Sequence, residues 1–203
     1  MAIEAMIFDF GNVLIGWDPD VLYRKLIADP AERRRFLEEV CNHDWNRQQD
    51  LGRSFAEAIA ERVALFPHHA ENIRAYHGRF REMLTGPVAE GHAILDRLVA
   101  EDFPCYGLTN WSGETYRMAE DLLAPFARHM KYTAVSGDLK MGKPEPEIFR
   151  HLLDVIGKPA AATAFIDDSP ANIAAAKKLG INAVLFKNDG SATEELRRLG
   201  LPV

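Results

Sequence analysis

Apolar and polar positions follow two different textures along the chain. Ile3-Glu4-Ala5-Met6-Ile7-Phe8 is a short, mostly apolar run that stops at Asp9, and Phe10-Gly11-Asn12 follows as a turn. A run too short for a helix and closed by a turn predicts a buried strand that delivers a carboxylate at its C-terminal end. From Gly86 onward helical and strand patterns alternate. Helices are expected over 88–100, 114–123, 144–156, 171–179 and 193–199, and strands over 103–108, 132–135, 161–166 and 183–186. Repeated strand–helix units with apolar strands predict a parallel sheet covered on both faces.

Between them, 16–85 has another texture. Only Gly16, Gly52 and Gly78 of the 14 glycines lie there, and no strand pattern emerges. Helix starts are visible instead. Asp29-Pro30-Ala31-Glu32 places a cap, a proline at the first helical position and an acid, and Ser54-Phe55-Ala56-Glu57 has the form of a capping box. About four helices are expected. The chain therefore divides into an α/β core of Rossmann-like type over 1–15 and 86–203, with a helical cap domain inserted over 16–85.

Composition narrows the class. Hydrophobic residues make up 47% and charged residues 27% of 203 residues, which is ordinary globular usage and excludes disordered and fibrous classes. No apolar run approaches a membrane span, and the N-terminus lacks the pattern of a secretory signal, so a cytoplasmic protein is expected. A net charge of −6 argues against a nucleic-acid partner. Cys41 and Cys105 have no metal spacing and are expected as reduced thiols. The oligomeric state is not legible.

Three expected strands end in polar residues: Asp9, Thr109-Asn110 and Asp167-Asp168. Lys140-Met141-Gly142-Lys143 precedes a helix. Each cluster alone is most simply a turn or a cap. In a parallel sheet, however, ligands sit beyond the C-terminal strand ends, where all four would meet. Together they suit phosphoryl transfer. A carboxylate can attack phosphorus, a hard divalent ion needs carboxylate and carbonyl oxygens, and a lysine stabilises the developing charge.

Phe8-Asp9-Phe10-Gly11-Asn12-Val13-Leu14, Leu108-Thr109-Asn110, Gly142-Lys143-Pro144 and Phe165-Ile166-Asp167-Asp168 resemble, in order, the four motifs of the haloacid-dehalogenase-like hydrolase superfamily. The resemblance runs from residue 3 to about residue 187, with 16–85 in the place of the family's cap. It implies Asp9 as the nucleophile, Thr109 and Asn110 as phosphate-binding groups, and Lys143 as the lysine that pairs with phosphate and Asp9. It implies Mg²⁺ held by Asp9, the Gly11 carbonyl, Asp168 and Asp167, the last directly or through water, with Asn172 supporting them. A small phosphorylated metabolite is the implied substrate. The Asp-Phe-Gly-Asn-Val form resembles a subgroup of sugar-phosphate phosphatases, notably toward glucose 1-phosphate. One departure stands out: most phosphatases of the family carry an Asp general acid where this chain has Gly11. Trp17, Asp18, Trp45 and Arg47, near the cap junction or in a cap loop, are candidate substrate contacts. Two other readings compete. A 2-haloacid dehalogenase uses the same aspartate without metal, although the Asp167-Asp168 pair suits a cation and not a halocarboxylate. A binding module would hold a phosphorylated ligand without turnover.

Overall fold

A computed structural model describes residues 2–203. Strand β1 (Ala5–Phe8) leads to β2 (Ile15–Trp17), and five helices follow: α1 (Pro19–Leu26), α2 (Pro30–Arg35), α3 (His43–Asp50), α4 (Phe55–Leu65) and α5 (Ala70–Gly78). Strand β3 (Leu84–Pro87) returns the chain to the sheet region. Then come α6 (Ala89–Ala100), β4 (Cys105–Thr109), α7 (Gly113–Met118), α8 (Glu120–Ala127), β5 (Met130–Val135), α9 (Ser136–Leu139) and α10 (Pro146–Ile156). The last elements are β6 (Thr163–Asp167), α11 (Pro170–Lys178), β7 (Asn182–Leu185) and α12 (Ser191–Arg198).

The main sheet is parallel, in the order β5-β4-β1-β6-β7. The chain starts in the middle, winds outward through β4 and β5, then crosses to β6 and β7. The reversal in winding falls at β1, the place where such sheets open a crevice beyond their C-terminal ends. Met6 and Phe8 enter one hydrophobic core while Ala5 and Ile7 enter the other, as the two-residue period of a doubly covered strand requires. The first core continues without a break into the helical insertion, through Leu22, Tyr23, Phe36, Phe55 and Tyr76.

Several expectations need correcting. The stretch 16–85 holds five α-helices, not four, and its two ends form strands: β2 pairs antiparallel with β3, Gly16 opposite Gly86. Two such short segments carry no period of their own and are strands because they find each other. The single helix expected over 114–123 is two, broken at Ala119, which leaves helical geometry at φ −107° and ψ 2°. One helical turn, α9, was not expected. The helix anticipated from Pro144 begins at Pro146, with Glu145 outside it. Cys41 and Cys105 are buried free thiols.

Candidate active site

Strand ends converge as the parallel topology demands. Phe8 lies beside Gly107 of β4 and Ile166 of β6, so Asp9 follows β1 between the two strands that end in Thr109 and Asp167. The Asp9 amide donates to the Ile166 carbonyl at 3.0 Å, which extends the ladder one residue past the strand.

Lys143 is the centre of the polar network. Its side chain is almost wholly buried, and Nζ donates to Asp167 Oδ2 at 2.6 Å and the Leu108 carbonyl at 2.9 Å while pairing with Asp9 Oδ1 at 2.8 Å. Those three contacts match the three protons of an ammonium. Its backbone is held as firmly: Lys143 N donates to Asn110 Oδ1 and Asn110 Nδ2 donates to the Lys143 carbonyl, each at 2.8 Å. The Asn110 side chain is therefore committed to Lys143, which makes it a positioning group between the β4 loop and the lysine. Lys140, in contrast, is exposed at the end of α9.

Asp167 is fully buried, and Oδ1 accepts from Ser169 N at 2.7 Å while Asn172 Nδ2 reaches both oxygens at 3.0 Å. Asp168 lies closer to solvent and accepts from Asn12 Nδ2 at 3.3 Å. Asn12 also accepts from Trp17 N at 3.0 Å, so one side chain joins the β1 loop, the acid pair and the start of the insertion. It holds a left-handed backbone (φ 56°), which asparagine tolerates better than most residues.

Oxygens of Asp9, Asp167 and Asp168 lie within 4.8 Å of one another. Two of these three carboxylates, Asp9 and Asp167, share one ammonium. Burial pushes Asp9 up to about 8; Lys143 opposes the rise and Asp167 adds to it. Burial and Asp167 likewise raise Asp168. Burial disfavours the Lys143 charge, yet Asp167 and Asp9 outweigh it and hold the ammonium above its ordinary value. An excess of buried negative charge on hard oxygen ligands is the electrostatic signature of a divalent-cation site.

A cavity of about 440 Å³ opens over this cluster. Asp9, Gly11, Asn12, Asn110, Lys143 and Asp168 line its floor. Trp17, His43, Asn46, Arg47, Asp50 and Phe80 come from the insertion, and Trp111 completes an aromatic wall with Trp17 and Phe80. Positions 43, 46, 47 and 50 share one face of α3. Arg47 reaches across to Glu145 at 2.6 Å.

Of the sequence-derived contacts, Trp17 and Arg47 face the cavity and the other two do not. Trp45 packs inside the insertion against Phe55 and Tyr76, because two residues along a helix is roughly 200° of turn. Asp18 caps α1 by accepting from Asp20 N at 2.9 Å. Thr109 closes β4 and is buried beneath the loop, while its neighbours Asn110 and Trp111 reach the cavity wall. Sequence reasoning missed Asp50, Asn46, Asn12 and the positioning role of Asn110. The spacing of 43, 46, 47 and 50 is a signal for the first two, once the helix is known.

Comparison with known proteins agrees with this architecture. Residues 3–180 match the model of the haloacid dehalogenase-like hydrolases, and the chain belongs to that family. It is 30% identical over 110 residues to a chloroplast flavin mononucleotide hydrolase of Arabidopsis thaliana, a match that covers 54% of this chain and 44% of that protein. The chain therefore spans less than half the length of that relative. A sesquiterpene phosphatase of Aspergillus oryzae is 24% identical over 212 residues, covering 97% of this chain and 96% of its own. The fold matches the crystal structure of an enzyme of the same family from Bacteroides thetaiotaomicron with a TM-score of 0.76 at 23% identity, covering 97% and 100% of the two chains. That enzyme has also been crystallised with magnesium and inorganic phosphate, a form matched at TM-score 0.69 and 24% identity over 93% and 96% of the chains.

Proposed function

We propose that the chain is a Mg²⁺-dependent phosphomonoesterase that acts on a small phosphorylated metabolite, a sugar phosphate in preference to a protein or nucleic acid. The observation that carries this reading is the cluster of three carboxylates, two of them paired with one buried lysine, at the switch point of a parallel sheet. Asp9 is the nucleophile. Phe10 N at 2.7 Å and Lys143 Nζ at 2.8 Å both meet Oδ1 and fix the carboxylate for attack on phosphorus. Lys143 offsets negative charge at Asp9 and the incoming phosphoryl group, and Asn110 keeps it there. Asp9, Asp168, Asp167 and the Gly11 carbonyl would hold Mg²⁺, and the surplus of negative charge among them fits such an ion. When bound, the metal neutralises phosphate oxygens.

The insertion serves as the substrate-selecting cap. Its cavity pairs an aromatic wall of Trp17, Phe80 and Trp111 with the polar stripe of α3. Such a site suits a ring with one apolar face and hydroxyl groups at its edge, which supports the sugar-phosphate reading. Phosphatase and hydrolase relatives that act on phosphorylated small molecules support the reaction class.

A screen of phosphorylated metabolites with Mg²⁺ or with chelator tests the reading. Phosphate release that needs the metal and disappears in Asp9→Asn is the expected result. Chelator-insensitive halide release from 2-haloacids would replace it with the dehalogenase reading. Ligand binding without any turnover would leave a binding module.

A further inference from the structure

Gly11 poses a chemical problem. The side chain that would protonate a departing alkoxide from this position is missing, and a Cβ built on Gly11 meets nothing within 4 Å. Among the carboxylates lining the cavity, Asp9 and Asp168 belong to the metal cluster, and Asp50 remains.

Asp50 is placed by the fold with some care. It ends α3, and the corner Asp50-Leu51-Gly52 is pressed onto the loops that carry Asn110 and Lys143. Asp50 Oδ1 accepts from Ser112 N at 3.0 Å, on the loop leaving β4. Its carbonyl accepts from Ser136 Oγ, at the start of α9. Leu51 packs so closely on Gly142 that a Cβ there would lie 2.8 Å from its Cδ2, and Gly52 is as close to the Gly137 carbonyl, at 2.8 Å from a Cβ. The residue next to Asp50 thus carries a side chain that touches the neighbour of Lys143. The remaining carboxylate oxygen, Oδ2, accepts from Asn46 Nδ2 at 2.9 Å. Among the described residues, His43 and Arg47 on the same helix, Tyr76 on α5 behind it, and Lys143, Asp9 and Asp168 across the cavity are the charged or titratable groups around it.

Resting on the phosphomonoesterase reading above, we infer that Asp50, contributed by the inserted helix α3, is the general acid–base that replaces the one absent at Gly11. In the first half-reaction Asp9 forms a bond to phosphorus as the bond from phosphorus to the leaving oxygen breaks, and the Asp50 proton passes to that oxygen. Asp50 is then a carboxylate. In the second half-reaction it takes a proton from the water that attacks phosphorus, which releases inorganic phosphate, regenerates Asp9 and restores protonated Asp50. Burial pushes the Asp50 carboxyl up to about 7, against the opposing pull of Ser112 N–H and Arg47, so both forms are accessible near neutrality.

Aryl phosphates of graded phenol acidity, read by single-turnover phenol release with Mg²⁺ present, test the assignment. With an acid in place, the natural protein shows a shallow dependence of rate on phenol pKa. Asp50→Asn, in which the amide oxygen keeps the Ser112 contact, is expected to slow esters of weakly acidic phenols by roughly 10²-fold or more while leaving nitrophenyl phosphate within a few-fold. Adding Gly11→Asp to that variant should flatten the dependence again. Equal slowing across the whole series would make Asp50 a structural anchor of the cap and overturn the assignment. So would a steep dependence in the natural protein, a measurement that does not need the variant to fold. Failure of the parent reading looks different: no member of the series would yield Asp9-dependent phenol release.

Discussion

Replacing Lys143 by Met keeps an apolar stem of similar reach and deletes only the charge and its three donors. Among the described residues the ammonium is the one cation paired with Asp9 and Asp167, and both are buried, with 7% and 0% exposure. Removing one partner of a buried ion pair costs about 3–5 kcal/mol, because the charge left behind has neither water nor a counterion. The Leu108 carbonyl also loses its donor at 2.9 Å. For a chain of this length each kcal/mol is about 2–4 °C in Tm, so a fall of roughly 6–20 °C is expected. Urea denaturation in chelator measures the loss directly. Asp167→Asn tests its origin: the double variant should recover about 2 kcal/mol relative to the sum of the single losses, since the stranded charge is gone. A loss below about 1 kcal/mol would refute the reasoning, for it would mean that desolvating the ammonium already cancels its attractions.

Asp50→Asn should stabilise the fold in a pH-dependent way. The Asp50 carboxyl is raised from 3.8 to about 7, so the folded state binds its proton more tightly and the natural protein loses stability as pH climbs through that window. The variant lacks this penalty. Its advantage in urea melts should be absent near pH 3.5, grow through pH 4–7, and level off at roughly 2–4 kcal/mol. Gly91→Ala should cost about 1–3 kcal/mol or more, because its Cβ would lie 1.8 Å from the Val13 carbonyl on the loop that carries Gly11. Activity should fall with stability there, as the β1 loop must move. At the junction, amide exchange of Gly16, Trp17 and Gly86 should change when phosphate and Mg²⁺ bind, since β2 and β3 connect the insertion, the proposed cap, to the sheet. Unchanged exchange would count against cap closure.

What could be read from the sequence, and what could not, divides along a physical line. Asp9 and the Asp167-Asp168 pair were legible because each ends an apolar run, and parallel strands bring their C-terminal ends together whatever the side chains. Lys143 was legible by resemblance, through Gly142 and Pro144. The exchange of hydrogen bonds between Asn110 and Lys143 was not, because it joins residues 33 apart and leaves no local period. Nor was the β2–β3 pair, whose three- and four-residue strands depend on each other. The helical insertion shows the limit most clearly. Trp45 and Arg47 stand two positions apart, yet one is core and the other cavity, and composition cannot tell them apart until the helix phase is known. Trp45 and Gln49, spaced four apart and both buried, fix that phase. Once it is fixed, His43, Asn46, Arg47 and Asp50 fall on the same side, and a carboxylate at the end of the stripe lies where the chain turns back onto the loops of the sheet. A residue 39 positions after Gly11 can thus stand in for a side chain that Gly11 lacks. The link lies in the docking of two elements, so it becomes visible only when both are folded.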